Sequence, residues 1–77
     1  MPVKAFILIE MEPKGINGAI QSLKAIPQVK TATAVAGPYD IVAIVESKNY
    51  EDIPRLITKE IQEVEGVLKT TTLLAFE

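Results

Sequence analysis

Residues 29–45 read VKTATAVAGPYDIVAIV, and this stretch decides the fold. It holds two unlike strands around a turn. Val29 to Ala36 alternates weakly and is rich in threonine and alanine, which suits a strand near a sheet edge. Gly37-Pro38-Tyr39-Asp40 carries the residue types that turns demand. Ile41 to Val45 is apolar at every position. A run that short and that apolar reads as a central strand covered on both faces.

Working outward, the chain repeats the pattern. Upstream, Val3 to Met11 (VKAFILIEM) is a second central strand. Val3, Ala5, Ile7, Ile9 and Met11 share one face, and Phe6 and Leu8 lie on the other. Pro13-Lys14-Gly15 breaks the chain. Ile16, Ala19, Ile20, Leu23 and Ile26 then form one helical stripe, which Pro27 ends. Gly18 inside it costs up to ~1 kcal/mol relative to Ala. Downstream, Ser47, Asn49 and Asp52 are candidate N-caps, and Pro54 fits a first turn. Ile53, Leu56, Ile57, Ile61 and Val64 give a second stripe. Gly66 suits the residue after a helix. Val67 to Phe76 is the last strand, and Thr70, Thr71 and Thr72 mark it as more exposed.

The order is βαββαβ over residues 1–77, one domain. The reading is α+β, a ferredoxin-like sandwich with a four-stranded antiparallel sheet of order 4-1-3-2 and two helices on one face. The other face would expose Phe6, Leu8 and alternate residues of Ile41–Val45. A bare apolar sheet face requires a partner, so a face-to-face homodimer is expected.

Composition narrows the function. A folded monomer of this size keeps ~4,600 Å² exposed, and its core is marginal without disulfides, metal or a partner subunit. The chain has no Cys and no His, so disulfides, thiol nucleophiles and the usual zinc ligands are excluded. No cofactor or metal is expected. Hydrophobic residues make up 48% and the mean hydropathy is +0.24, which also favours association. The net charge is -2 and the eight basic residues are scattered, with no electrostatic footprint for direct nucleic-acid contact. Ala5 to Ile9 is too short an apolar run to span a membrane. Met1-Pro2-Val3-Lys4 leads into it without signal-peptide architecture, so a cytoplasmic location is expected.

Candidate functional residues follow. In the Gly37-Pro38-Tyr39-Asp40 turn, Gly37 lets backbone approach a ligand, Tyr39 can wall a pocket, and Asp40 can accept from an amino group. Composition alone favours an ordinary turn there, as it favours an ordinary loop at Pro13-Lys14-Gly15. Glu10, Glu12 and Glu46 sit near strand ends, where paired carboxylates do acid–base work and, far more often, are simply solvated. Tyr50 reads as packing over the second helix start. Thr31, Thr33 and Thr70 to Thr72 can bind a ligand but are equally good strand filler.

The pattern A-G-P-Y-D-I-V-A-I-V, then E-G-V, then K-T-T-T-L-L resembles the Lrp/AsnC family, and more narrowly its C-terminal effector-binding (RAM) domain. Gly37, Tyr39 and Asp40 match the family's Gly-x-Tyr-Asp turn. Gly66-Val67 matches the end of the second helix, and Thr71-Thr72-Leu73 matches the last strand. The resemblance runs from about Val3 to Phe76. Full family members carry an N-terminal helix-turn-helix; here the first strand starts at Val3, so a stand-alone effector module is expected. The resemblance implies sheet-to-sheet dimers gathered into rings of typically four, an octamer. It implies an amino-acid effector bound near Gly37, Tyr39 and Asp40, with Thr33 and Ala34 beside them. Asp40 would hold the α-amino group, and amides near Gly37 would meet the carboxylate. Full-length Lrp/AsnC regulators are candidate partners. Three other readings stand beside it. An ACT-like amino-acid sensor would use Glu12-Pro13-Lys14-Gly15. A small dimeric ferredoxin-like oxygenase or isomerase is disfavoured by the missing His and Cys. A scaffold subunit would bind nothing small.

Overall fold

The computed structural model describes residues 2–76. Four antiparallel strands form one sheet in the order β2-β3-β1-β4, the expected order read from the other edge. β1 is Val3–Met11, β2 is Val29–Ala34, β3 is Ile41–Ser47 and β4 is Val67–Ala75. The two strands with apolar residues on both faces occupy the centre, and the two threonine-bearing strands take the edges.

Register explains the sidedness. Ile7 pairs with Ala43 and Ile9 with Ile41, and all four side chains are buried beneath the helices. One residue on, Phe6 pairs with Ile44 and Leu8 with Val42. These four point to the opposite face and are only half-buried. Leu73 lies across from Phe6 on the same face and is 50% exposed. The open apolar face expected from the sequence is therefore present. Its ends carry charge: Lys4 lies opposite Glu46, and Glu10 opposite Lys69.

A 3-10 turn at Pro13–Gly15 leads into α1 (Ile16–Lys24). Ala19 and Leu23 are buried, and Ile16 and Ile20 pack against the core. Pro27 cannot continue the helix, and Ala25 closes it, donating its N–H to Gln21 and Ser22 carbonyls at 3.2 Å. Ile26 thus falls outside the helix but stays in the core.

The second helix differs from the expectation. α2 (Asp52–Leu56) runs on directly into a π-helical turn, Ile57–Ile61, where the Gln62 N–H donates to the Ile57 carbonyl at 2.8 Å. Ile53, Ile57 and Ile61 repeat every four residues, a spacing that drifts ~40° per step on an α-helix. The wider turn winds the stripe back, and all three are buried. No side chain caps its N-terminus; Asp52 instead donates its N–H to the Asn49 carbonyl at 3.2 Å. Val64 lies beyond the helix. β2 stops at Ala34, so Val35 and Ala36 belong to the turn, and β3 extends to Ser47.

The candidate effector corner

The turn between β2 and β3 is built around Asp40. Its N–H donates to the Ile9 carbonyl at 2.9 Å, and its own carbonyl accepts the Val35 N–H at 2.9 Å. Its carboxylate Oδ2 accepts the Met11 N–H at 2.8 Å. The side chain thereby satisfies a β1 amide at the point where β1 runs past the start of β3. A carboxylate has about four lone-pair positions, so one backbone bond leaves capacity for a ligand. Gly37 has φ +142°, and a Cβ placed there would meet nothing within 4 Å. Backbone conformation, not space, requires glycine.

Of the five residues singled out from the sequence, Tyr39 and Asp40 are half-buried, while Gly37, Thr33 and Ala34 are exposed. Thr33 sits across from Val42 and Ala34 across from Ile41. Thr33 therefore points to the open face and Ala34 to the helix side. The five share one corner of the sheet, but they do not converge into an enclosed cavity within one chain.

The other candidates are also placed. Lys14 and Gly15 border a cleft of about 580 Å³ that is also lined by Glu12, Gly18, Ser22 and Gly66. Its glycines have a packing reason. A Cβ on Gly66 would lie 3.0 Å from Met11 Cε, and one on Gly15 would lie 3.3 Å from the same atom. Gly66 also has φ +92°. The Glu12 N–H donates to the Gly66 carbonyl at 2.9 Å, which holds the two loops together. Glu10 and Glu46 stand at opposite ends of the sheet. Six strand residues separate their positions, ~20 Å, so they form no acid–base pair. Tyr50 does more than pack: its hydroxyl donates to the Ala75 carbonyl at 2.8 Å, and its ring lies 6.4 Å from Phe76. Sequence reading missed Met11 as the common partner of Asp40, Gly15 and Gly66. The contacts to Asp40 and Gly66 join residues far apart in the chain and leave no local signal.

Among the described residues no group of three or more His, Cys, Asp or Glu is placed to hold a metal, and no helix is long and apolar enough to cross a membrane.

Residues 4–77 match the model of the Lrp/AsnC ligand binding domain. The chain belongs to the Lrp/AsnC ligand-binding domain family. This Lrp/AsnC domain is 33% identical over 75 residues to an HTH-type transcriptional regulator of Pyrococcus horikoshii, PH1916, covering 94% of the chain and 50% of that protein. The chain thus spans about half the length of the first curated relatives it matches. It is 32% identical over 76 residues to a homocitrate synthase of Sulfurisphaera tokodaii, covering 97% of the chain but 16% of that enzyme. Among solved structures, TTHA0845 from Thermus thermophilus superposes with a TM-score of 0.91 at 37% identity, covering 97% of this chain and 94% of that one. The family is a regulatory one, and its fold accounts for the sheet order and the two helices.

Proposed function

We propose that this chain is an oligomeric effector-binding module that takes a free amino acid at the corner formed by Gly37, Tyr39, Asp40, Thr33 and Ala34. The observation that carries the reading is the Asp40 carboxylate. Its residue is fixed by two backbone hydrogen bonds, and the carboxylate itself accepts one, from the Met11 N–H, with lone pairs to spare for an ammonium group. Backbone near Gly37 meets the ligand carboxylate, and Tyr39 walls the side chain. The corner is open on one chain, so a neighbouring subunit supplies the second wall. Binding at a subunit boundary favours one assembly over another, which is how such a module passes on a signal. The partners are further copies of the chain and Lrp/AsnC regulators that carry their own DNA-binding part, in the cytoplasm. The module itself is not catalytic and uses no cofactor. The homocitrate synthase match covers too little of that enzyme to carry its chemistry here, and it fits a module of this kind serving a larger protein.

The open face supports the oligomer. Phe6, Leu8, Val42 and Ile44 lie on it uncovered. The chain exposes 5094 Å², above the ~4,600 Å² of a typical monomer of its mass.

The test is a melting-temperature screen against the twenty amino acids, with mass by light scattering. A ligand that binds only the folded state raises the melting point with its concentration. The expected result is a saturating shift with one or a few amino acids, lost in Asp40→Asn. No shift at millimolar concentration with any of them overturns the reading. The cleft beside Gly15 favours a second, ACT-like site, and Ser22→Leu separates the two. It would abolish a response arising in that cleft and leave one at Asp40 intact.

A further inference from the structure

β1 changes partners at its last residues. Up to Ile9 it pairs with β3, which begins at Ile41. Past that point the turn takes over. Asp40 donates its N–H to the Ile9 carbonyl at 2.9 Å and accepts the Met11 N–H on Oδ2 at 2.8 Å. A side chain thus supplies the next rung of the ladder. On the other edge of β1, the register with β4 breaks between Glu10 and Met11, and Met11 lies across from Val67. The next amide, that of Glu12, leaves β4 for the Gly66 carbonyl at 2.9 Å. Regular pairing therefore ends on both sides of Met11. What holds its backbone is its own side chain and the loops around it.

That side chain is 3% exposed. Its Cε ends between two glycines. A Cβ on Gly66 would lie 3.0 Å from it and one on Gly15 3.3 Å, and each such Cβ would lie 3.9 Å from the other glycine's Cα. Both positions must lack a side chain for Met11 to sit where it does. At Gly15, with φ -98°, the need is for space alone. Both glycines line the cleft beside α1, outside the corner of Gly37, Tyr39 and Asp40. Met11 spans the two places, with its N–H on Asp40 and its methyl end on the glycines.

We propose that Met11 is a positioning residue for the corner. Its N–H aims the Asp40 carboxylate, and Gly15 and Gly66 seat Met11, so two loops outside the corner set its affinity for an ammonium group. The affinity part rests on the reading of Asp40 as the ammonium acceptor. A bond from an amide to a carboxylate is charge-assisted and short. It fixes the carboxylate and occupies one of its lone-pair positions, leaving the others to a ligand. Binding groups must be held to within ~0.5 Å, so a Met11 pushed by a new methyl group is felt at Asp40. Dense interior packing leaves a buried methionine little room to bend away instead.

The test uses Gly15→Ala, which adds a methyl without backbone strain. A second variant combines it with Met11→Leu, which removes the crowded Cε at nearly constant volume. Amide hydrogen exchange is followed by NMR at position 11 and corrected for intrinsic rates. Ala5 and Ile7 of the same strand serve as references, and Asp40→Ala marks the rate with the bond absent. In Gly15→Ala the position-11 amide should exchange about threefold or more faster relative to the references, and the double variant should recover. In parallel, an equimolar mixture of the twenty amino acids is titrated and the melting point followed. The half-saturating concentration should rise about threefold or more in Gly15→Ala and recover in the double variant. A general loss of stability lowers the melting point but leaves that concentration where it was. If Gly15→Ala speeds all three amides alike, or leaves position 11 protected as before, the glycines only pack and the proposal is overturned. A position-11 amide that responds while the half-saturating concentration stays constant overturns the positioning role. If the unmodified chain does not respond to the mixture, the affinity claim falls with the amino-acid reading. The exchange ratios then still decide whether the glycines act on the Asp40 bond through Met11.

Discussion

The Asp40 carboxylate accepts the backbone N–H of Met11 at 2.8 Å, across 29 positions of sequence. The bond ties the β2–β3 turn to the end of the central strand β1. The residue proposed to hold an effector is therefore a structural clamp, and the proposed role can be tested apart from the structural one. Asp40→Ala leaves a part-buried amide without an acceptor, which costs ~1–3 kcal/mol. For a domain of this size each kcal/mol lowers the melting point by ~4–8 °C. Asp40→Asn keeps an acceptor oxygen and should melt close to the unmodified protein. Thermal denaturation of the pair checks this. Equal losses in both variants would show that the Met11 bond is not what the carboxylate provides.

Gly66→Ala should destabilise by ~1–3 kcal/mol, because φ +92° is strained for any side chain. Part of that loss comes from Met11 Cε, 3.0 Å from the new methyl. A double variant with Met11→Ala should therefore lose less than the sum of the two single changes. Strict additivity in urea denaturation would remove Met11 from the account.

Gly18 behaves in the opposite sense. It lies inside α1, and a Cβ there would touch nothing within 4 Å. Gly18→Ala should stabilise by up to ~1 kcal/mol, visible as a higher urea midpoint with an unchanged slope. A loss of stability or of assembly would mean that another molecule approaches the helix at that point.

The two sides of the sheet should answer differently to substitution. Leu23 is fully buried in the core beneath the sheet, so Leu23→Ala should cost ~2–5 kcal/mol, a large share of a small domain's stability. Leu8 lies on the open face, half-buried. Leu8→Ser should leave the circular dichroism spectrum intact and reduce the mass seen by light scattering. If Leu8→Ser leaves both the spectrum and the mass unchanged, the open face is not a subunit surface.

Much of the architecture was legible along the chain because it rests on local periodicity. The apolar runs at Val3–Met11 and Ile41–Val45 could only be central strands. The weaker, threonine-bearing runs read as edges, and the helical stripes were legible although both helices stop short of them, at Lys24 and Ile61. The proposed effector corner was legible only as a short motif, Gly37-x-Tyr39-Asp40. Its composition alone looked like any turn.

What the sequence determined by itself was pattern: which residues alternate, which face is apolar, where φ must be positive, and that no thiol or imidazole chemistry is available. Tertiary structure alone decided the pairings between distant positions. It brought Met11 to Asp40 and Gly66, set Thr33 and Ala34 on opposite sides of one corner, and turned Ile57–Ile61 into a wider helix so that Ile53, Ile57 and Ile61 could all be buried. It also left Leu68, Leu73 and Leu74 on an unpaired edge. The physical reason is range. Hydrophobic period and turn chemistry act over a few residues, whereas hydrogen-bond satisfaction and close packing depend on which segments the folded sheet brings together.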